Sequence, residues 1–119
     1  MSETTHQGGC HCGAVRYQVA LDLEKPALTC NCSICSKLGT MLSFVPPDKF
    51  TLERGTAELT DYQFNKHNIH HLFCNKCGVK SFARGTGPDG KPMVAINVRC
   101  LDNVDLDKVP TTMFDGRKL

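Results

Sequence analysis

The sequence predicts a mainly β domain: small antiparallel sheets pinned by cysteine–metal knuckles, with only a few short helical turns. Three observations lead there. Apolar and polar residues alternate over several short runs, the pattern of half-buried strands. Gly, Pro and Asp punctuate the chain between those runs, and no long stretch places apolar residues at helical spacing. Seven of the eight cysteines fall into three tight groups. A chain of 119 residues suits a single domain, 1–119, with one core. The polar stretch 1–7 is expected to be flexible.

The elements follow in order. Val15, Tyr17, Val19 and Leu21 share one parity and read as a strand. Met41 to Val45 is an apolar run stopped by Pro46 and Pro47. Phe50 and Leu52 suggest a short strand before Gly55. Leu59 to Phe64 alternates imperfectly. Leu72 and Phe73 lead into one cysteine pair, and Val79 to Ala83 lead out of it. Gly87-Pro88-Asp89-Gly90 carries turn chemistry. Met93 to Leu101 is the clearest strand, with Val94, Ile96, Val98 and Cys100 on one parity. Ser33 to Leu38 and Asp102 to Asp107 are the two candidate helical turns.

Charge excludes some partners. The net charge of +2 comes with no Lys/Arg stripe, so no nucleic acid is expected. No apolar run reaches membrane-spanning length, and the polar N-terminus lacks the apolar segment of a secretory signal. The expected compartment is the cytoplasm, where thiols stay reduced and clustered cysteines bind metal.

The cysteine groups carry the chemistry. Cys10-His11-Cys12-Gly13 is a C-x-C pair, Cys30-Asn31-Cys32-Ser33-Ile34-Cys35 is C-x-C-x-x-C, and Cys74-Asn75-Lys76-Cys77-Gly78 is C-x-x-C-G. Two thiolates on one tight turn can point at one zinc ion. The turn exposes backbone N–H groups to the sulfurs, and a following Gly permits the backbone angle the knuckle needs. A disulfide inside C-x-C would be strained. Four thiolates close a structural site, and three leave a position open for chemistry. The seven cysteines divide without splitting a group into Cys10, Cys12, Cys74 and Cys77, and Cys30, Cys32 and Cys35. Two zinc ions per chain follow. Cys100 shares the parity of Val94, Ile96 and Val98, which favours a buried core thiol. The alternative is that Cys100 closes the second site.

Gly9-Cys10-His11-Cys12-Gly13-Ala14-Val15-Arg16-Tyr17 resembles the opening of the glutathione-dependent formaldehyde-activating family, whose relatives include centromere protein V. The second and third cysteine groups resemble that family's next two motifs. Asn97 to Asp102 and Phe114-Asp115-Gly116 resemble its ending, so the likeness runs from Gly9 to Gly116. Ser36 to Phe73 carries no motif of the family. The resemblance implies a β fold around two zinc sites, with Cys10, Cys12, Cys74 and Cys77 on a structural ion and Cys30, Cys32 and Cys35 on a catalytic one. It implies a carbon–sulfur lyase-type activity joining glutathione, or a similar small-molecule thiol, to formaldehyde or another small aldehyde.

Zinc held by three thiolates is already anionic, so it suits a fourth soft ligand better than it suits making hydroxide. A glutathione sulfur in that open position would be a thiolate nucleophile. Lys37, Arg84 and Arg99 are the cations that could meet glutathione's two carboxylates. His70 and His71, on opposite faces of one strand, offer a general acid for the new alkoxide. Two other readings compete. One is a non-catalytic zinc-stapled binding module or glutathione/aldehyde carrier. The other is a thiol redox enzyme with Cys100 as nucleophile. Oligomeric state is not legible in the sequence.

Overall fold

A computed structural model of the chain describes residues 3–63, 69–87 and 89–115. It is mostly β, in two sheets. The strands are β1 (Thr4–Gly9), β2 (Arg16–Leu21), β3 (Ala27–Cys30), β4 (Leu42–Val45), β5 (Phe50–Arg54), β6 (Leu59–Tyr62), β7 (Ile69–Cys74), β8 (Phe82–Thr86), β9 (Pro92–Asn97) and β10 (Thr111–Phe114). A single helical turn, α1 (Cys35–Leu38), lies between β3 and β4. The first sheet has the order β1-β2-β5 and the second β10-β3-β4-β9-β8-β7-β6. Every pairing is antiparallel except β10 with β3, which is parallel. Among the described residues no helix is long and apolar enough to cross a membrane.

The alternation read from the sequence becomes the core. In β2, Tyr17, Val19 and Leu21 point inward while Gln18 is exposed. In β9, Val94 and Ile96 are fully buried on the same side as Phe82 of β8. Tyr17, Phe50 and Phe82 pack ring against ring, with centroids 4.8 to 5.7 Å apart, and close the space between the two sheets. The buried Tyr17 hydroxyl donates to the Ser81 carbonyl at 3.0 Å, so its polar end is satisfied.

The structure departs from the sequence reading in four places. Residues 4–7, expected to be flexible, form the first part of β1 and pair in register with Gln18 to Leu21. Backbone ladder bonds hold them although their side chains are polar. β9 ends at Asn97, not at Leu101. Val98–Cys100 is a turn of 3-10 helix, capped by the Asn97 side chain accepting from the Arg99 N–H. Cys100 therefore leaves the strand parity on which it was read. The expected turn after Asp102 falls later, at Leu106–Lys108. β1, β3 and β10 had no sequence expectation. Phe64, Pro88 and Gly116, which earlier readings touched, lie outside the described residues.

The second sheet has a second face. His71, Ala83, Ala95 and Phe44 stand in one cross-strand row over β7, β8, β9 and β4. Two alanines at its centre leave that row low. A cleft of about 440 Å³ opens above it, walled by Leu28, Phe44, Ile69, Met93 and Phe114.

Candidate metal centres

Cys10 and Cys12 follow β1, and Cys74 ends β7 just before Cys77. Folding brings these four thiols together from distant segments of the chain: Cys12 and Cys74 are 62 residues apart in sequence. All four sulfurs lie within 4.8 Å of one another. The Cys10–Cys12 and Cys12–Cys74 sulfurs are each 3.7 Å apart. Two sulfurs at about 2.3 Å from a tetrahedral ion would be about 3.8 Å apart, so the donor set fits zinc-like coordination. Backbone N–H groups already point at the sulfurs, Val15 to Cys10 at 3.3 Å and Lys76 to Cys74 at 3.4 Å. Both knuckles end in a left-handed glycine, Gly13 (φ +86°) and Gly78 (φ +81°).

The clustered thiols compete as anions, and the acidities of Cys77 and Cys12 are driven apart. The Val79 N–H favours the Cys77 thiolate and, with other donors, lowers its pKa to about 6. For Cys12, the Ala14 N–H favours the thiolate, but burial and the three neighbouring thiols together raise it to about 11. A bound dication would remove that competition.

Cys30, Cys32 and Cys35 come from one short segment, the end of β3 and the start of α1. Their sulfurs also lie within 4.8 Å of one another, and all three residues are half-buried. The Cys32 N–H donates to the Cys30 sulfur at 3.4 Å. Burial pushes the Cys35 thiol up to about 12. Burial also opposes ionisation of Cys32, yet the Cys35 N–H and thiol hold it below the ordinary value.

One recess is lined in part by this triad, and a second lies further along the same strands. The first, of about 470 Å³, is lined by Cys30, Cys35, Asn31, Thr40, Met113 and Arg99. The Thr40 hydroxyl is buried there with no hydrogen-bond partner among the described residues. The other is the apolar cleft. Its wall Phe114 stands in register with Cys30, and its wall Leu28 shares Cys30's strand parity.

The other sequence candidates scatter. Arg99 is exposed at the rim of the Thr40 recess. Lys37 is exposed on α1 and lines neither recess. The Arg84 guanidinium stacks over the Phe50 and Phe82 rings at 5.2 and 5.5 Å, an engagement that holds it at the core's edge. His70 pairs with Asp61 at 2.6 Å on the exposed side of β7. His71 faces the other way, buried, with its Nδ1 2.7 Å from Lys80 Nζ. Cys100 is half-buried, and its S–H donates to the Lys80 carbonyl at 3.9 Å. Burial, then Cys10 and Cys77, raise its pKa to about 11, so it is not a ready thiolate. It is in neither thiol cluster. Thr40 and Lys80 had no sequence expectation. The one available signal was a lysine opening the apolar run Ser81-Phe82-Ala83, where the outer flank of a buried strand has no obvious room for a charge.

The comparisons agree with this geometry. A family model described as glutathione-dependent formaldehyde-activating enzyme matches residues 5–114. A crystal structure of a Rhodobacter sphaeroides protein is similar at 32% identity and a TM-score of 0.76, covering 89% of this chain and 99% of the other. The family match spans both cysteine clusters and all but the first residue of the strand framework that carries them, and the chain therefore belongs to the glutathione-dependent formaldehyde-activating family.

Proposed function

We propose that the chain is a zinc-dependent carbon–sulfur lyase-type enzyme that adds a thiol, glutathione or a close analogue, to formaldehyde or another small aldehyde. Cys10, Cys12, Cys74 and Cys77 hold a structural zinc in this reading, and Cys30, Cys32 and Cys35 a catalytic one. The observation that carries it is the three-thiol cluster, half-buried, with Cys30 and Cys35 lining the Thr40 recess. Zinc bound there would have a fourth position in which a substrate sulfur is held as thiolate.

The chain's own residues do the rest. The Thr40 recess accepts the polar body of the thiol substrate, with Arg99 at its rim to meet a carboxylate and the Thr40 hydroxyl available to a peptide-like group. The substrate sulfur attacks the aldehyde carbon. A carbon–sulfur bond forms, the carbonyl π pair moves to oxygen, and that oxygen takes the proton the thiol gave up. Holding both partners beside the triad supplies proximity, the larger share of what such a spontaneous addition can gain.

The test is the rate of adduct formation from glutathione and ¹³C-formaldehyde, followed by NMR exchange. Saturable dependence on thiol, lost in Cys32→Ala together with one zinc, is the expected outcome. Saturable thiol binding with an unaccelerated rate would make the protein a carrier instead. A rate unchanged by Cys32→Ala would remove the mechanism. The apolar cleft favours a second reading of the aldehyde. Formaldehyde leaves about 440 Å³ of apolar space unfilled, so an aldehyde with a hydrocarbon chain is the better occupant. Competition between formaldehyde and hexanal decides that point.

A further inference from the structure

Lys80 is 8% exposed and His71 6%. A lysine ammonium this deep requires a fixed compensating partner. Its nitrogen lies 2.7 Å from His71 Nδ1. An ammonium has only protons to give, so Nδ1 is the acceptor and the His71 proton sits on Nε2. His71 suits that role because burial, reinforced by the charge on Lys80, lowers its pKa to about 4 and keeps it neutral. A neutral imidazole orients the ammonium but does not balance its charge.

The balance comes from the triad. Burial pulls the Lys80 ammonium below its ordinary value, and the groups that favour its charge are the thiols of Cys35 and Cys32. Asn97 connects the two regions: its side-chain oxygen accepts from the Met41 N–H at 3.4 Å, its amide donates to the Lys80 carbonyl, and Met41 and Thr40 line the recess shared with Cys30 and Cys35. The backbone of Lys80 is fixed from two directions: its carbonyl accepts from the Asn97 side-chain amide at 3.1 Å, and the carbonyl of Ser81 accepts from Tyr17. The charge is thus aimed by a rigid frame. Three thiolates on a dication leave a surplus negative charge, and a buried cation beside them is its electrostatic complement.

We propose that Lys80, oriented by His71, is the counter-cation of the Cys30–Cys32–Cys35 site and sets how tightly that site holds its ion. The proposal rests on the reading of the triad as a metal site, but not on any reaction performed there. It makes Lys80 a positioning residue for the metal and leaves the four-cysteine site as an internal control.

The experiment is a chelator titration of zinc-loaded protein, following zinc released per chain alongside circular dichroism. Lys80→Met, which keeps length but removes charge, should release the triad zinc at about a tenfold lower chelator concentration, with the four-cysteine zinc retained. Lys80→Arg should restore most of the affinity. Unchanged release in Lys80→Met would overturn the proposal, as would a Lys80→Arg variant as weak as Lys80→Met. Wild-type protein that binds a single zinc would overturn it too, together with the metal reading. Should Lys80→Met fail to fold, His71→Gln carries the test: selective weakening of the triad ion supports the proposal, and no change defeats it. Selective weakening in protein that never accelerates adduct formation would leave Lys80 its role and remove only the proposed reaction.

Discussion

The two cysteine clusters use the same ligand atom and hold it in opposite ways. The four-cysteine cluster is built from the first and third motifs, and its knuckles are attached to both sheets, at the end of β1 and the end of β7. Two of its members are core residues, Cys10 at 7% and Cys74 at 0% exposure. The three-cysteine cluster lies within six consecutive positions, is half-buried, and opens on the Thr40 recess. A crosslink between distant segments restrains the unfolded chain far more than one within a single turn. With an ion bound, the first cluster would hold the fold, and the second would be held by it.

The largest expected effect breaks the comparison at its strong end. Cys74→Ser removes a buried ligand that joins the sheets, and the protein should lose cooperative thermal unfolding in circular dichroism. If Cys74→Ser melts as the wild type does, the four-cysteine cluster is not a staple. Next, Cys32→Ala should lose one zinc by elemental analysis and all acceleration of adduct formation while the melting temperature falls by only a few degrees. Global unfolding in that variant would erase the distinction between the clusters.

A smaller effect separates packing from ligation. Tyr17→Phe removes one of the two donors to the buried Ser81 carbonyl, which keeps the Asn97 N–H, and should cost about 1 kcal/mol in denaturant unfolding, with both zincs kept. Zinc loss from Tyr17→Phe would mean that the core and the clusters are coupled more tightly than the frame suggests. The smallest expected effect is at the surface. Arg16 and Asp102 pair beside the first knuckle, and the pairing holds the Asp102 carboxyl below its ordinary value. The pair is half-exposed, so Asp102→Asn should cost less than about 1 kcal/mol.

Local chemistry was legible in the sequence. The cysteine spacings, the glycines after Cys12 and Cys77, and the alternation of Val15 to Leu21 each depend on neighbours a few residues away. So does the stop after Val45 at two prolines. The division of seven cysteines into four and three was legible as well, because neither grouping splits a motif. The geometry brings together those same sets of thiols.

Other features needed the folded chain. β10 has four exposed residues and is a strand because it lies beside β3, a parallel pairing that nothing within Thr111–Phe114 announces. Cys100 followed a strand parity that ends at Asn97, since the Asn97 side chain captures the Arg99 N–H and bends the chain into a 3-10 turn. Lys80 and His71 are nine residues apart and meet only because β7 and β8 pair. By itself the sequence determined which atoms could hold a metal and which segments alternate, because these follow from covalent spacing and short-range backbone preference. Tertiary structure alone decided that Cys100 joins neither cluster, which cluster faces open space and which lysine is buried against a histidine, because those depend on contacts between segments whose separation along the chain carries no local signal.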